Sequence, residues 1–437
     1  MFSNVFSIVT NFRYARKNGS STIFFQQKHI ENDPYQEGWG DQDLPSMLQL
    51  ASLKALWRQT ELGWLVQHSQ GKTPTSSLES TMISRRIARL LFDRKPRPHT
   101  SLTGGTALLI RWDGKLGDSI VSSFVYRELR KSGNWQVFVA TTPELADLHA
   151  DVFNPDKMFL TPAGPGWAAL FQLWRRLGKV DVVVHLSGVL PPREIFFLWL
   201  LRPSQVYGLD DELGWVTAKL GIATESVSIQ ARYAEVVRRM GTQAVNTSPA
   251  LPPATGHRGY IAFNPYASRA GKSMGALKAA LTLSCLAKAF PDKEFRVLSS
   301  PATDPSALQL VQAVARKNVR LFEGLPTVNA AIAAVEGAEA VISVDTGIVH
   351  VAVALKKPLV AIYPSLGDNY DPWRPDETPT TKVILAPQDV ATYRRTGRKN
   401  LDVFDETDIR DHLAKLIAGA AQHTPRTEPT TPPPPHC

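Results

Sequence analysis

Ala338-Glu-Ala-Val-Ile-Ser-Val-Asp-Thr-Gly-Ile-Val-His-Val-Ala-Val-Ala-Leu-Lys-Lys-Pro-Leu-Val-Ala-Ile-Tyr-Pro-Ser365 leaves the chain few folding choices. Ala340 to Val344 form an apolar, β-branched run of the length of a buried parallel strand. Ile348 to Leu355 then wind as a helix until Pro358 stops it, and a second apolar run follows. Asp345-Thr346-Gly347 is thus a strand-to-helix turn. Such a turn aims free backbone N–H groups and the positive end of the helix dipole at the space above the carboxyl end of the sheet, where a phosphate is well placed. His350 lies one helical turn further on. Corners of this kind are common in α/β domains and most bind nothing, so a second corner upstream is needed before a site is inferred.

That second corner comes early in the chain. Ala107-Leu-Leu-Ile-Arg-Trp112 reads as a strand, Asp113 to Asp118 as a loop, and Ser119 to Lys131 as a helix with Ile120, Phe124, Val125 and Leu129 on one face. Strands at Gln136–Thr141, Lys157–Leu160 and Val180–Leu186 alternate with helical stretches, which predicts a parallel, doubly wound sheet. No Gly-x-Gly-x-x-Gly follows the first strand, so a dinucleotide fingerprint is missing. After a Pro-containing linker at 246–258 the pattern repeats. Strand Tyr260–Phe263 leads to the loop Asn264-Pro-Tyr-Ala-Ser-Arg-Ala-Gly-Lys-Ser273, and further strand-helix units lead back to the corner at 345–347.

Two such domains place their strand ends on either side of one cleft. The candidates facing it are Ser268, Arg269, Lys272, Asp345, Thr346, Gly347 and His350 from the second half, and Lys115 and Asp118 from the first. Lys272 and Arg269 can neutralise a diphosphate or remain solvated surface charges. Asp118 either caps a helix or, held over a cleft, acts as a general base.

Composition bounds the partners. A hydrophobic content of 43% with 20% charged residues is globular, and a formal charge of +9 favours anionic partners: nucleotides, phosphorylated glycolipid, an anionic membrane or nucleic acid. Two cysteines, Cys285 and Cys437, give neither a disulfide framework nor a Cys-rich metal site, which fits a reducing compartment. No run approaches the roughly 18 apolar residues that span a bilayer. The N-terminal run lacks a leading basic residue and is broken by Ser and Asn, so it is not read as a signal peptide, and a cytoplasmic protein is expected.

Residues 1–103 stand apart as an extension, mainly helical and partly disordered, with helical candidates at 44–67 and 78–92. In the second, Ile83, Ile87, Leu90 and Leu91 share one face while Arg85, Arg86 and Arg89 lie off it. That pattern suits either a helix resting on an anionic membrane or one that packs its apolar face on the neighbouring domain and solvates its arginines. The Pro-rich end, 424–437, is expected to form no core.

The residues from about 105 to 420 resemble glycosyltransferase family 9, the bacterial lipopolysaccharide heptosyltransferases. The resemblance rests on Gly117-Asp118, on Asn264-Pro265 with Ser268-Arg269 and Lys272, on Ser343-Val-Asp-Thr-Gly-Ile-Val-His350 with Ala352, Ala354 and Pro358, and on Pro372-Trp373-x-Pro375. Met274 departs from it, standing where the family commonly has Trp. The resemblance implies a GT-B fold, two Rossmann-like domains facing a cleft. An acceptor domain at 104–250 and a donor domain at 256–422 are expected. It also implies inverting transfer of heptose from ADP-heptose to the lipopolysaccharide core, with no metal or other cofactor and no nucleic-acid partner. Asp118 is then the general base; Lys272, Ser268, Arg269 and the Thr346 and Gly347 N–H groups hold the donor diphosphate; Asp345 binds donor-sugar hydroxyls; and His350 supports that loop or touches the phosphate. Lys115 and Arg193 fall on the acceptor side, and an anionic membrane surface is a further expected partner, with the protein peripheral on the inner membrane. A nucleotide-sugar epimerase or hydrolase of the same fold, and a non-catalytic glycolipid- or nucleotide-binding protein, are the alternatives.

Overall fold

The computed structural model describes residues 13–17, 20–24, 77–100, 102–251, 259–268, 270–365, 371–396 and 399–423. The chain divides into two compact units, residues 1–76 and 77–437. In the first, strands β1 (Arg13–Lys17) and β2 (Ser20–Phe24) form an antiparallel hairpin with Arg13 opposite Phe24. The helix expected at 44–67, the linker residues 252–258, Arg269 and the Pro-rich end lie outside the described residues.

The second unit holds two parallel six-stranded sheets. The first contains β3 (Gly105–Arg111), β4 (Trp135–Thr141), β5 (Lys157–Leu160), β6 (Val182–His185), β7 (Gln205–Gly208) and β8 (Ala218–Lys219), in the order β5-β4-β3-β6-β7-β8. The second contains β9 (Tyr260–Asn264), β10 (Glu294–Val297), β11 (Val319–Leu321), β12 (Ala338–Val344), β13 (Leu359–Ser365) and β14 (Thr381–Pro387), in the order β11-β10-β9-β12-β13-β14. Both have the doubly wound arrangement in which strand order reverses beside the first strand, and ligands bind above that reversal, at the carboxyl ends of the strands. The reversals fall between β3 and β6 and between β9 and β12, so the loops after β3, β9 and β12 are the ones the fold commits to a ligand.

Burial explains why these stretches are strands. Ala107 to Ile110, Val182 to Val184 and Val341 to Ile342 are at most 4% exposed, as parallel strands covered on both faces require. β7 and β8 are absent from the sequence reading. Gln205-Val-Tyr-Gly208 has a polar start and only two apolar residues, and β8 is two residues long. The helix after β3 begins at Leu116, not Ser119, and breaks at Ser123 before resuming at Phe124–Lys131. Gly117 and Asp118 therefore sit in the first helical turn, not in a loop. Among the described residues no helix is long and apolar enough to cross a membrane.

The helix Ser77–Phe92 packs beside the helix Pro192–Leu201, but with its expected faces reversed. Ala88 and Phe92 are buried, whereas Ile83, Leu90 and Leu91 are exposed. Arg85 is not solvated. Its guanidinium reaches both carboxylate oxygens of Asp210 at 2.8 Å and Glu212 Oε2 at 2.8 Å, and its Nε donates to the Leu190 carbonyl at 3.3 Å. Arg89 joins Glu212 at 2.9 Å. Below the helix, Asp93 accepts from the Gly214 and Trp215 N–H groups, and the Trp215 indole donates to the Phe92 carbonyl. Ionic and hydrogen bonds thus decide the orientation against the apolar stripe, because a buried carboxylate such as Asp210 is tolerated only with a cation beside it. Replacing Arg85 by Met leaves Asp210 unpaired, and we expect it to lower unfolding free energy by about 3 kcal/mol. Urea unfolding of the two proteins measures this.

Candidate functional site

The two sheets meet where two glycines remove their side chains from the contact. The helices Leu116–Ser122 and Gly347–Ala354 cross so closely that a Cβ on Gly117 would stand 2.6 Å from His350 Cδ2, and one on Gly347 would stand 3.0 Å from Leu116 Cβ and 3.1 Å from the Gly117 nitrogen. This approach brings the corner after β3 and the corner after β12 to one cleft of about 790 Å³. That size suits a nucleotide-sized ligand.

Eight of the ten predicted site residues line this cleft: Lys115, Asp118, Ser268, Lys272, Asp345, Thr346, Gly347 and His350. Arg193 is not brought there. It stands in the first turn of the helix Pro192–Leu201 with its guanidinium near Gly164. Arg269 lies outside the described residues. Met274 is 4% exposed in the core of the second sheet, so its difference from Trp falls in packing and not on the cleft wall.

One wall is cationic and rich in amides. Lys272 Nζ pairs with Asp345 Oδ2 at 2.5 Å, which fixes the ammonium at the end of β12. Asn264, at the end of β9, donates its Nδ2–H to Ser343 Oγ at 2.9 Å and Thr346 Oγ1 at 3.0 Å. The Thr346 hydroxyl is thereby held by Asn264 and does not cap the helix from Gly347, which begins without a side-chain cap. Its first-turn N–H groups therefore face the cleft with the dipole behind them. His350 packs edge-on to Trp373, with ring centres 6.2 Å apart. Burial is the main reason its pKa falls to about 4; Asp345 opposes the shift and Lys272 adds to it. At neutral pH the imidazole carries no charge.

The facing wall carries Asp118, which is hydrogen-bonded to Asp113. Asp118 sits in the first turn of its helix without capping it. Burial, then a hydrogen bond from Asp118 to Asp113 and repulsion by that carboxylate, push Asp118 up to about 7; Arg111 and Lys115 offset only part of this. Asp113 goes the other way. Burial disfavours its charge, but the bond from Asp118, the Arg111 guanidinium and the Lys115 N–H hold it below the usual carboxylate range. One proton is shared, and it resides on Asp118. Arg111 is anchored beneath by its Nε bond to Ser122 Oγ at 2.9 Å and by stacking over Tyr233.

Sequence reasoning missed Asp113, which acts on the cleft through Asp118, and the cleft lining from Ser299–Thr303 and Leu325–Asn329. The available signal was positional, since both stretches follow the carboxyl ends of strands β10 and β11. Among the described residues no three His, Cys, Asp or Glu side chains are grouped to hold a metal ion.

Residues 215–384 match the sequence model of glycosyltransferase family 9 (heptosyltransferase). The family 9 match begins at Trp215 and so contains the Asp345 corner but not Gly117-Asp118, which the fold brings to it. Solved structures extend the likeness over both sheets. A family 9 glycosyltransferase from Veillonella parvula is 14% identical, with a TM-score of 0.56, over 72% of this chain and 98% of its own. The E. coli ADP-heptose lipopolysaccharide heptosyltransferase II is 17% identical with a TM-score of 0.54, over 72% of this chain and all of its own. E. coli heptosyltransferase WaaC with ADP is 14% identical with a TM-score of 0.51, over 73% of this chain and all of its own. At these identities they establish the shared GT-B fold. No curated protein sequence matches the chain.

The glycine contact is testable. Gly117→Ala forces His350 aside and is expected to cost about 1–3 kcal/mol, while His350→Ala in the same chain restores most of the loss. Urea unfolding midpoints of the single and double variants measure this.

Proposed function

We propose that this protein is an inverting glycosyltransferase that moves heptose from ADP-heptose to the inner core of lipopolysaccharide. The observation that carries this reading is the pairing, across one cleft, of a carboxylate with its pKa raised to about 7 and a wall bearing Lys272 and an uncapped helix N-terminus. The family 9 match of residues 215–384 and the names of the E. coli neighbours support the choice of donor and acceptor.

In the proposed reaction Asp118 takes the proton from an acceptor hydroxyl as that oxygen forms a bond to the anomeric carbon. The bond from that carbon to the diphosphate breaks on the opposite face, and its electron pair leaves with ADP. Inversion follows from this single displacement. Negative charge grows on the diphosphate, where Lys272 and the Thr346 and Gly347 N–H groups stabilise it in place from the start. Asp345, already holding Lys272, binds donor-sugar hydroxyls with its remaining acceptor capacity, and the neutral His350 supports the loop. Ser268 and Arg269 complete the donor side and Lys115 the acceptor side. Residues 104–250 then serve as the acceptor domain and 256–422 as the donor domain, working on the inner face of the inner membrane.

Asp118→Asn is expected to lower the transfer rate to deacylated core by about 10²–10⁴-fold with ADP affinity kept. Unchanged transfer removes the base assignment, and equal ADP release with and without acceptor removes the transferase reading. Because the base must be ionised, the rate should climb through about pH 7 and level off above it. Asp113→Asn should move that inflection to lower pH by removing the neighbouring charge. The same proton affects stability. Between the ordinary value of 3.8 and about 7 the folded chain holds a proton that the unfolded chain has released, so this group's contribution to stability declines as pH rises through that window. A pH–rate profile of both proteins tests the assignment.

A further inference from the structure

Arg111, the last residue of β3, is a buried charge that the proposed reaction leaves without a role. It is 6% exposed and belongs to none of the motifs that carry the family resemblance. A guanidinium packed among apolar strands weakens a fold unless charge and hydrogen bonds answer it. Among the described residues Arg111 forms no direct ion pair; Asp118 meets Lys115 instead, at 3.9 Å. Its bonds reach Asp118 by another route. Arg111 Nε donates to Ser122 Oγ at 2.9 Å, and that hydroxyl donates in turn to the Asp118 carbonyl at 2.8 Å. On the other side its guanidinium carbon stands 4.8 Å from the centre of the Tyr233 ring. Tyr233 lies one turn into the helix Ile229–Arg239, whose first N–H donates to the Pro372 carbonyl at 2.9 Å, next to the Trp373 that lines the cleft. The guanidinium is thus clamped between the helix that carries Asp118 and a helix fastened to a loop of the second sheet.

The other groups packed around Arg111 are uncharged at neutral pH or engaged elsewhere. Tyr126 comes from the helix Phe124–Lys131 and His149 from the turn His149–Phe153, with the phenol oxygen 3.2 Å from His149 Nδ1. Burial, then Arg111 itself, lowers the His149 pKa to about 3 against a small opposing effect of Asp113, and burial raises Tyr126 well above its ordinary value. On the helix Ile229–Arg239, Glu235 is taken up by Arg238 and Arg239, and Arg232 donates to the Glu225 carbonyl. His350, on the crossing helix, is neutral as well. The charges left to answer the guanidinium are those of Asp113 and Asp118, and it favours the ionised form of both.

We propose that Arg111 is a positioning residue of the cleft: through Ser122 it fixes the turn that holds Asp118, and through its charge it lets the Asp113–Asp118 pair release the proton they share. It touches no substrate itself. Burial serves this role, because a charge shielded from water acts on its neighbours more strongly than an exposed one does. The inference rests on the reading of Asp118 as the general base.

Titration of the Asp118 carboxyl by NMR in the full chain, assigned with Asp118→Asn, needs no substrate and so judges Arg111 apart from the transfer reaction. In Arg111→Gln the upper titration of the acid pair should rise by about one pH unit, and in Arg111→Lys, which keeps the charge, it should return to that of the parent. The pH–rate inflection should follow the same order, with circular dichroism and ADP affinity unchanged, which shows that the variants are folded. Ser122→Ala, which keeps the charge but removes the link to the turn, should lower kcat roughly tenfold at unchanged donor KM and leave the inflection in place. An Asp118 titration that does not move in Arg111→Gln, or that moves as far in Arg111→Lys, overturns the proposal, and so does parental kcat in Ser122→Ala. Titrations that shift as stated while Asp118→Asn transfers normally sink the general-base reading and leave the hold of Arg111 on the acid pair standing.

Discussion

The approach of Gly117 to Gly347 sets the geometry of the site. Two helices start at the carboxyl ends of two different sheets, and they touch nearly backbone to backbone because neither carries a side chain at the crossing. Everything chemical in the cleft depends on that contact. It sets Asp118, one residue after the first glycine, opposite Thr346 and Asp345, which directly precede the second. A larger residue at either position would spread the walls and separate Asp118 from Lys272.

Each wall solves a different electrostatic problem. On one wall Asp345 neutralises Lys272 while holding its ammonium at the end of β12. On the other wall two acids crowd together above a buried arginine, and burial with this crowding makes one of them retain its proton more firmly than an isolated carboxylate would. The imidazole between the walls is kept uncharged by burial, so it adds bulk without altering the charge balance.

Much of this was legible in the sequence, and the failures have physical causes. Central parallel strands are buried on both faces, so Ala107–Ile110 and Val341–Val344 announce themselves as apolar runs. Gln205–Gly208 and Ala218–Lys219 carried no comparable signal, because the first, though buried, is four residues with a polar start and the second is only two residues long. Gly-Asp and Asp-Thr-Gly were recognisable because they combine a chemistry-bearing side chain with a glycine at a strand end. Asp113 looked like any loop carboxylate, since its meaning comes only from its contact with Asp118. The helix Ser77–Phe92 misled most. Its apolar stripe suited either a packed face or a membrane surface with solvated arginines, and neither reading foresaw that Asp210 and Glu212, more than a hundred residues away, capture Arg85 and leave the stripe outward.

Asp210 does more than hold that arginine. Its Oδ2 also accepts the Leu190 N–H at 2.8 Å, and the Leu190 carbonyl in turn receives Arg85 Nε. One carboxylate therefore clasps the outer helix and the loop after β6 in a single closed ring of hydrogen bonds. The two cannot shift separately without breaking that ring, so a push on the helix from outside is delivered mechanically to the loop that leads into the helix Pro192–Leu201.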